Sequence, residues 1–444
     1  MVRDRYWWIR KGELKTPVHE LRRILSVHSR FNDRDPIPLF AETEGAFGIP
    51  LYYKDISRHA TEVIDLSSDG FPADFSFLST LRPKQQPIMD RFMQSIAIGK
   101  TGFLIEAPTG TGKTVILLSM LSQLKRTTLV VVPRSAIVKQ WRERIVEHTD
   151  IKDSEIGIAQ QSRCDYNGKK IVIGTIQSLM KDKYGKDFKR YFGAVVYDEV
   201  HVTSATEFSK TVTLFPARYR IGASATMKRT DGTEAVYESH VGEVVIKMKG
   251  GTDVKPRIFL REYKAKRVHP YVNRMTDAKS RRGVLLTEIS KDVARNALIA
   301  VYIKKFVESG RRTLLLSDRK EQVLHIAKLL RMRHGFYKKD VGIFMGETKE
   351  MERKRVLKHC PIILATYGVM AMAIDVPDLR ALVFATPMSE IEQPLGRILR
   401  LCDEAKDPVT LDIIDSAYPD AVKWAYKRQR KYESAGAEMF NVST

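Results

Sequence analysis

The stretch Gly102-Phe-Leu-Ile-Glu-Ala-Pro-Thr-Gly-Thr-Gly-Lys-Thr-Val-Ile-Leu-Leu-Ser-Met-Leu-Ser-Gln-Leu124 reads as a short apolar strand, a glycine-bearing turn and an apolar helix. Gly102 to Glu106 form the strand, and Val115 to Leu124 have helical character. In the turn, Gly110 and Gly112 let backbone N–H groups point inward at a phosphate, above a helix N-terminus. Lys113 then reaches the β and γ phosphates of a nucleotide, and the Thr114 hydroxyl takes Mg²⁺. Pro108, Thr109 and Thr111 complete the loop. The strict spacing of such loops asks for Gly at 107, where Ala107 stands.

Outward from that loop the same rhythm continues. Apolar runs Thr128–Val132, Lys170–Gly174, Ala194–Tyr197 and Tyr219–Gly222 alternate with helical stretches. The pattern pauses at Gly250-Gly251 and resumes with Thr313–Ser317, Val341–Phe344, Pro361–Ala365, Ala381–Ala385 and Val409–Ile414. Continuous apolar strands separated by helices predict buried parallel sheets. The fold class is therefore α/β, with two tandem doubly wound domains whose ligands bind beyond the carboxyl ends of the strands. A small N-terminal α+β block precedes them, with strands near Tyr6–Ile9, Ile37–Phe40 and Gly48–Tyr53 and a helix from Val18 to Val27. Ser67 to Asp74 reads as a linker. The predicted divisions are 1–76 as an accessory, duplex- or junction-binding domain, 77–250 as a nucleotide-binding domain and 251–444 as a second domain.

Composition narrows the partners. The chain has 444 residues with 75 Lys and Arg against 53 Asp and Glu, a net +22. Residues 255–312 hold 16 basic and 5 acidic side chains, whereas residues 1–80 hold 11 and 12. So concentrated an excess predicts a polyanion track. Its sharpest cluster is Lys264–Arg267 with Lys279–Arg282, flanking a predicted exposed turn at Pro270–Thr276; Arg281 and Arg282 are candidate phosphate contacts. Aromatic and basic residues interleave again at Trp424, Tyr426, Lys427, Arg428 and Tyr432. Three distant cysteines give no zinc ribbon or disulfide framework, so a reducing, intracellular setting is expected: the cytoplasm, or a host's if the chain is phage-encoded. No apolar run is long enough for a membrane span.

Two further strings carry chemistry. Asp198-Glu199 follows the apolar strand Ala194–Tyr197, where Asp198 can hold Mg²⁺ and Glu199 can orient or deprotonate an attacking water. Arg397 and Arg400 lie three apart and share one helical face with Gln393 near them. Arginines placed on a separate domain can stabilise transition-state charge on a γ-phosphate. The active site is then expected between two halves of the chain.

Taken in order, Ala107–Thr114, Asp198-Glu-Val-His201, Ser224-Ala-Thr226, Ala365-Thr-Tyr-Gly368 with Asp375, and Gln393–Arg400 resemble the core of the superfamily 2 helicases, with two RecA-like domains. The resemblance spans roughly residues 80–415. It implies that Gln85 reads adenine, that Asp375 contacts ribose, and that Gln393 joins Lys113, Asp198, Glu199, Arg397 and Arg400 in ATP hydrolysis. It also implies strand contacts from Pro133, Arg134 and Gln140-Trp141, from Thr175 and Gln177, and from Ser317 and Thr366. Asp198–His201 fits the DExH class, and Ser224–Gly232 is similar to the extended element of the XPB-like and UvsW-like branch. Met227 replaces the usual Pro there, and Ala371-Met-Ala-Ile precedes Asp375 where Glu-Gly is more usual. No nuclease signature accompanies the core, so a restriction-type translocase is not expected. The implied activity is ATP-dependent unwinding or branch migration of forked or Holliday-junction DNA. A structured-RNA helicase and a nucleic-acid clamp without unwinding are the alternatives. Protein partners are not legible in the sequence.

Overall fold

The computed structural model describes residues 1–444 apart from 31, 55–62, 109–110, 205–208, 230, 243, 249–254, 270–271, 273–274, 371–377, 389–390, 392–393, 396–406 and 443–444. The chain divides into Met1–Lys249 and Gly250–Thr444.

In the first unit the central sheet has eight strands. In spatial order they are Arg163–Asp165, Ile156–Gln160, Ile171–Thr175, Thr128–Val132, Ala194–Asp198, Tyr219–Ser224, Gly102–Glu106 and Val244–Lys247. Only the first pair is antiparallel. Thr128–Val132 and Ile171–Thr175 are buried along their whole length. That is why they are unbroken apolar runs rather than alternating ones: helices cover both faces. Helix Lys113–Leu124 is likewise buried nearly all round, from Ile116 through Ser122.

The second unit holds seven parallel strands in the order Val341–Phe344, Ile362–Thr366, Arg312–Ser317, Leu379–Phe384, Val409–Asp415, Arg257–Tyr263 and Glu438–Asn441. The sequence reading missed Arg257–Tyr263 and Glu438–Asn441 here, and Ile156–Gln160, Arg163–Asp165 and Val244–Lys247 in the first unit. Gly157, or charged residues such as Arg261 and Glu262, interrupt several of these runs, and the others are short.

The N-terminal block is α+β. Its five-stranded sheet orders Ala41–Glu42, Ala46–Ile49, Trp7–Arg10, Val2–Arg3 and Ile64–Asp65. Helix Val18–Ile24 stops three residues earlier than its spacing suggested, because Val27 enters the two-stranded ladder Ser26–Ser29 with Asn32–Pro38. Tyr6 is buried, Trp7 donates to the Leu51 carbonyl at 2.9 Å and Trp8 to Asp4 at 2.9 Å. These rings are committed to the fold. The block also shares one apolar cluster with the rest of its unit, in which Ile9, Leu21, Ile37 and Phe47 join Val195, Tyr197 and Phe215.

Ser67 to Asp74 is not a free linker. Ser68 N donates to the Pro216 carbonyl at 2.6 Å, Phe71 N to Thr127 Oγ1 at 2.9 Å and Ala73 N to the Lys125 carbonyl at 3.1 Å. Gly70 has φ +61°, and a Cβ there would lie 2.2 Å from the Gly193 nitrogen, so glycine is required for so close a pass. The predicted exposed turn at 270–276 is corrected in part, since Thr276 is exposed. Four of its seven residues lie outside the described ones, but Val272 is buried with Leu285, Ile289 and Tyr418.

Beneath the N-terminal block lies a buried cation with no carboxylate. The Arg220 guanidinium donates to the carbonyls of Val212, His240 and Phe215 at 2.7, 3.1 and 2.6 Å. His240 stacks edge-on against Tyr6, with ring centroids 5.4 Å apart. Burial, reinforced by Arg220, pushes its imidazole down to about 3. The unfolded chain therefore takes up a proton near pH 6.5 that the folded one refuses until about 3, and stability is lost as pH falls through that window. The slope is about 1.4 kcal/mol per pH unit from this group alone. We expect His240→Gln to start less stable at pH 8 but to lose less melting temperature between pH 7 and 5. Parallel thermal melts of the two proteins check this.

Candidate nucleotide site and nucleic-acid groove

Strand ends build the site. Ala107, Pro133, Asp198 and the Ser224–Thr226 turn all leave the carboxyl edge of the first sheet, where parallel strands open onto a shared crevice. Ala107 is fully buried and its N–H donates to the Ser224 carbonyl at 2.9 Å. It is absent from the positive-φ residues of the chain, so the position needs no glycine. Gly112 does: its φ of +81° turns the backbone into the first residue of helix Lys113–Leu124. Thr111 closes the loop by donating from Oγ1 to the Pro108 carbonyl at 2.7 Å. Thr109 and Gly110 lie outside the described residues.

Gln85 is buried against this loop. Its Nε2 donates to the Thr111 carbonyl at 2.7 Å, and its Oε1 accepts from Arg82 N at 2.9 Å. Both ends of the amide are therefore engaged in this structure.

Lys113 Nζ meets Glu199 Oε1 at 2.8 Å. The adjacent Asp198 accepts from the indole N–H of Trp141 at 2.8 Å. Burial first, and Glu199 second, push the Asp198 carboxyl up to about 6. Burial pushes Glu199 the same way, but Lys113 outweighs it and holds that carboxyl below its ordinary range. Two carboxylates thus face one cation in a poorly solvated corner. Glu199 also has a φ of +53°, a left-handed conformation that a side-chain-bearing residue rarely adopts and that the surrounding bonds must enforce.

Behind Glu199 the bonds continue. Ser224 Oγ lies 3.3 Å from Glu199 Oε2 and 2.7 Å from His201 Nδ1. The His201 carbonyl accepts from Arg229, which pairs with Asp231, and Asp231's carbonyl accepts from Arg30 N at 3.0 Å. A path of such contacts therefore runs from the Glu199 carboxylate to the N-terminal hairpin. Met227 fits here as a proline would not, since its N–H donates to Glu106 Oε1 at 3.3 Å.

A separate groove of about 670 Å³ opens beside the site, lined in part by Arg134, Thr175 and Gln177. Thr175 Oγ1 is spent on Ser178 at 2.9 Å, and Gln177 Nε2 donates to the Pro133 carbonyl at 2.8 Å. Sequence reading missed Gln160, Gln161, Lys181 and Lys183 on its walls. Their signal was the Gln160-Gln161-Ser162 turn of an unrecognised hairpin. Trp141 is a correction: it is 1 % exposed beneath Asp198, so its ring meets no strand.

In the second unit, Ser317 and Thr366 are neighbours across adjacent parallel strands. Ser317 is buried and donates to Gln322 at 2.6 Å. Arg281 is paired with Asp420 at 2.7 Å, and Arg282 lies over the Trp424 ring at 5.1 Å. Arg428 and Tyr432 face inward, whereas Lys423, Tyr426 and Lys427 are exposed. Asp375, Gln393, Arg397 and Arg400 lie outside the described residues. Among the described residues no helix is long and apolar enough to cross a membrane.

Residues 78–229 match the family of the Type III restriction enzyme, res subunit. A protein of Acanthamoeba polyphaga mimivirus, whose name describes an ATP-dependent RNA helicase, is 29% identical over 87% of this chain and 74% of its own length. The DNA 3'-5' helicase XPB of Kineococcus radiotolerans is 28% identical over 78% of this chain and 60% of its own. The Hef helicase domain of Pyrococcus furiosus superposes with a TM-score of 0.54 at 13% identity, over 79% of this chain and all of that one.

The loop geometry yields a direct test. A Cβ on Gly112 would sit 2.5 Å from Gln85 Nε2, on top of the strain of its positive φ. Gly112→Ala should therefore displace both loop and amide. We expect nucleotide affinity to fall at least tenfold with the melting temperature changed by only a few degrees, as measured by titration with a fluorescent ATP analogue and by thermal melts.

Proposed function

We propose that the chain is a superfamily 2 helicase, an ATP-dependent hydrolase that acts on nucleic acid, and that it unwinds or branch-migrates forked and Holliday-junction DNA. The observation that carries the enzymatic half is the carboxylate pair Asp198–Glu199 set against Lys113 at a sheet edge. The DNA half is supported by the Ser224–Gly232 element and its backbone tie, through Asp231, to the N-terminal hairpin. The basic stretch 255–312 supplies charge for a polyanion.

In this reading Lys113 and the helix N-terminus behind Gly112 neutralise the nucleotide's phosphates. The donor set suits Mg²⁺: a hydroxyl at Thr114 and a carboxylate at Asp198 are hard oxygen ligands, and the second charge of a divalent ion relieves the excess of carboxylates over Lys113. The ion, when bound, neutralises charge on the phosphate oxygens. Glu199 holds the attacking water and takes its proton, a role that requires Lys113 to release it to the phosphates. Arg397 and Arg400 stabilise charge in the transition state, Gln393 acts with them, and Asp375 contacts ribose. Residues 1–76 act as the junction-binding part, 77–250 bind ATP and 251–444 form the second motor domain, all inside the cell. Pro133, Arg134, Gln177 and Thr366 contact backbone, so sequence preference is weak; Thr175 and Ser317, expected to join them, are buried with their hydroxyls bonded to Ser178 and Gln322. The mimivirus relative's name is the observation that favours an RNA duplex as the alternative substrate.

Three measurements test this. Lys113→Ala should lower ATPase and unwinding by orders of magnitude while nucleic-acid binding persists; near wild-type hydrolysis would sink the assignment. Strand displacement compared on forked DNA, Holliday junctions and RNA duplexes should favour the DNA branch points; preference for RNA would transfer the enzyme to the alternative substrate. Because Asp420 already neutralises Arg281, Arg282 is the member of that pair left to release counterion. Arg282→Ala should therefore reduce the salt slope of duplex binding by about 0.9, read from titrations at several salt concentrations.

A further inference from the structure

Two buried arginine–aspartate pairs in the second unit converge on one short segment. Strand Val409–Asp415 carries Asp412 and Asp415, three residues apart and so on opposite faces of the sheet. Arg428, from helix Pro419–Ser434, grips Asp412 with Nε and Nη2, both at 2.8 Å. Arg295, from helix Val293–Glu308, grips Asp415 with Nε at 2.6 Å and Nη2 at 3.0 Å. All four side chains are 3 % exposed or less.

Each guanidinium then reaches beyond its aspartate to the exit of the neighbouring strand, Leu379–Phe384. Arg295 Nη1 donates to the Ala385 carbonyl, which Gln322 also reaches at 3.3 Å. Arg428 Nη1 lies 3.4 Å from the Met388 carbonyl. Between them, Thr386 accepts from Asp318 N at its hydroxyl, 2.8 Å, and from the Tyr367 hydroxyl at its carbonyl. Tyr432 donates to Asp412 at 3.0 Å and packs with Ile391 and Leu395 in one buried cluster. Three of the four irregular residues, Ala385, Thr386 and Met388, are thus held from both faces of the sheet. The chain that leaves this clamp is the one that carries Gln393, Arg397 and Arg400.

We propose that Arg295 and Arg428 are positioning residues for ATP hydrolysis: with Asp415 and Asp412 they clamp Ala385–Met388 and so set where the arginine string begins. Neither touches nucleotide; each acts through the string, and the inference rests on the role given to that string above. Lysine keeps the charge but loses the two-pronged geometry, so Arg→Lys loosens the clamp without stranding an aspartate.

The experiment compares Arg428→Lys and Arg295→Lys with Arg397→Ala and with the double variant Arg397→Ala/Arg428→Lys, in the full-length protein at saturating DNA. Circular dichroism and a melting temperature well above the assay temperature establish folding. The expected result is a kcat at least tenfold lower in each lysine variant with the KM for ATP within twofold, and no further loss when Arg428→Lys is added to Arg397→Ala. An unchanged kcat, an equal rise in KM, or losses that multiply in the double variant would overturn the clamp. An Arg397→Ala protein with wild-type kcat would instead overturn the reading of the string, whatever the lysine variants do. If the lysine variants do not fold, Tyr432→Phe, which removes one hydroxyl from Asp412, should lower kcat severalfold at constant KM; no change in kcat would count against the clamp.

Discussion

Charge imbalance in a half-buried corner is the constraint on which the first unit depends. Two carboxylates leave one strand end side by side, and Lys113 balances one of them. In bulk water such a pair would be unremarkable. Where burial raises Asp198 to about 6 it is a standing electrostatic debt, and the neighbouring backbone has been bent to hold it, with Glu199 in a left-handed conformation. Trp141 supplies one directed hydrogen bond and little charge. In the proposed function, an added cation and a phosphate held by Lys113 would relieve that imbalance.

Parallel sheets explain why such a corner can be assembled from distant residues. Each strand ends at the same edge, so Gly112, Asp198 and Ser224, spread over more than a hundred positions, meet without long irregular excursions. Buried apolar strands hold the edge level. The second unit uses the same scaffold and adds paired ions inside it, where an unpaired arginine or aspartate would be strongly destabilising.

Much of this was legible because it lies on strong periodicity. The strands around the phosphate loop are continuous apolar runs, and Val341–Phe344 falls where its sequence places it. Lys113 and Glu199, singled out in the sequence, meet at 2.8 Å in the structure. What escaped was decided by tertiary contact. Nothing local in Arg257–Tyr263 marks it as an interior strand, since Arg257, Arg261 and Glu262 leave an apolar run of only three residues, Ile258 to Leu260. Trp141 looked like a strand-contacting residue, but its indole N–H had a buried carboxylate to satisfy. Arg428 and Tyr432 sit in a run of basic and aromatic residues that reads as a surface, and only Asp412, far away in sequence, turns them inward. The glycine at position 70 sat in a stretch rich in turn-forming residues, which hid a close backbone crossing.

Among the described residues the N-terminal block has no core of its own apart from the cluster it shares with the first sheet, and the strap from Ser68 to Ala73 stitches it down with main-chain bonds. Its history is therefore not that of a cassette. A detachable module can be exchanged between lineages, lost, or replaced at little cost to the motor that carried it. Here each substitution at Ile9 or Phe47 is felt by Val195 and Tyr197, on the strand that ends at Asp198, so specialisation of the block and maintenance of the sheet must proceed together, by compensating changes in both.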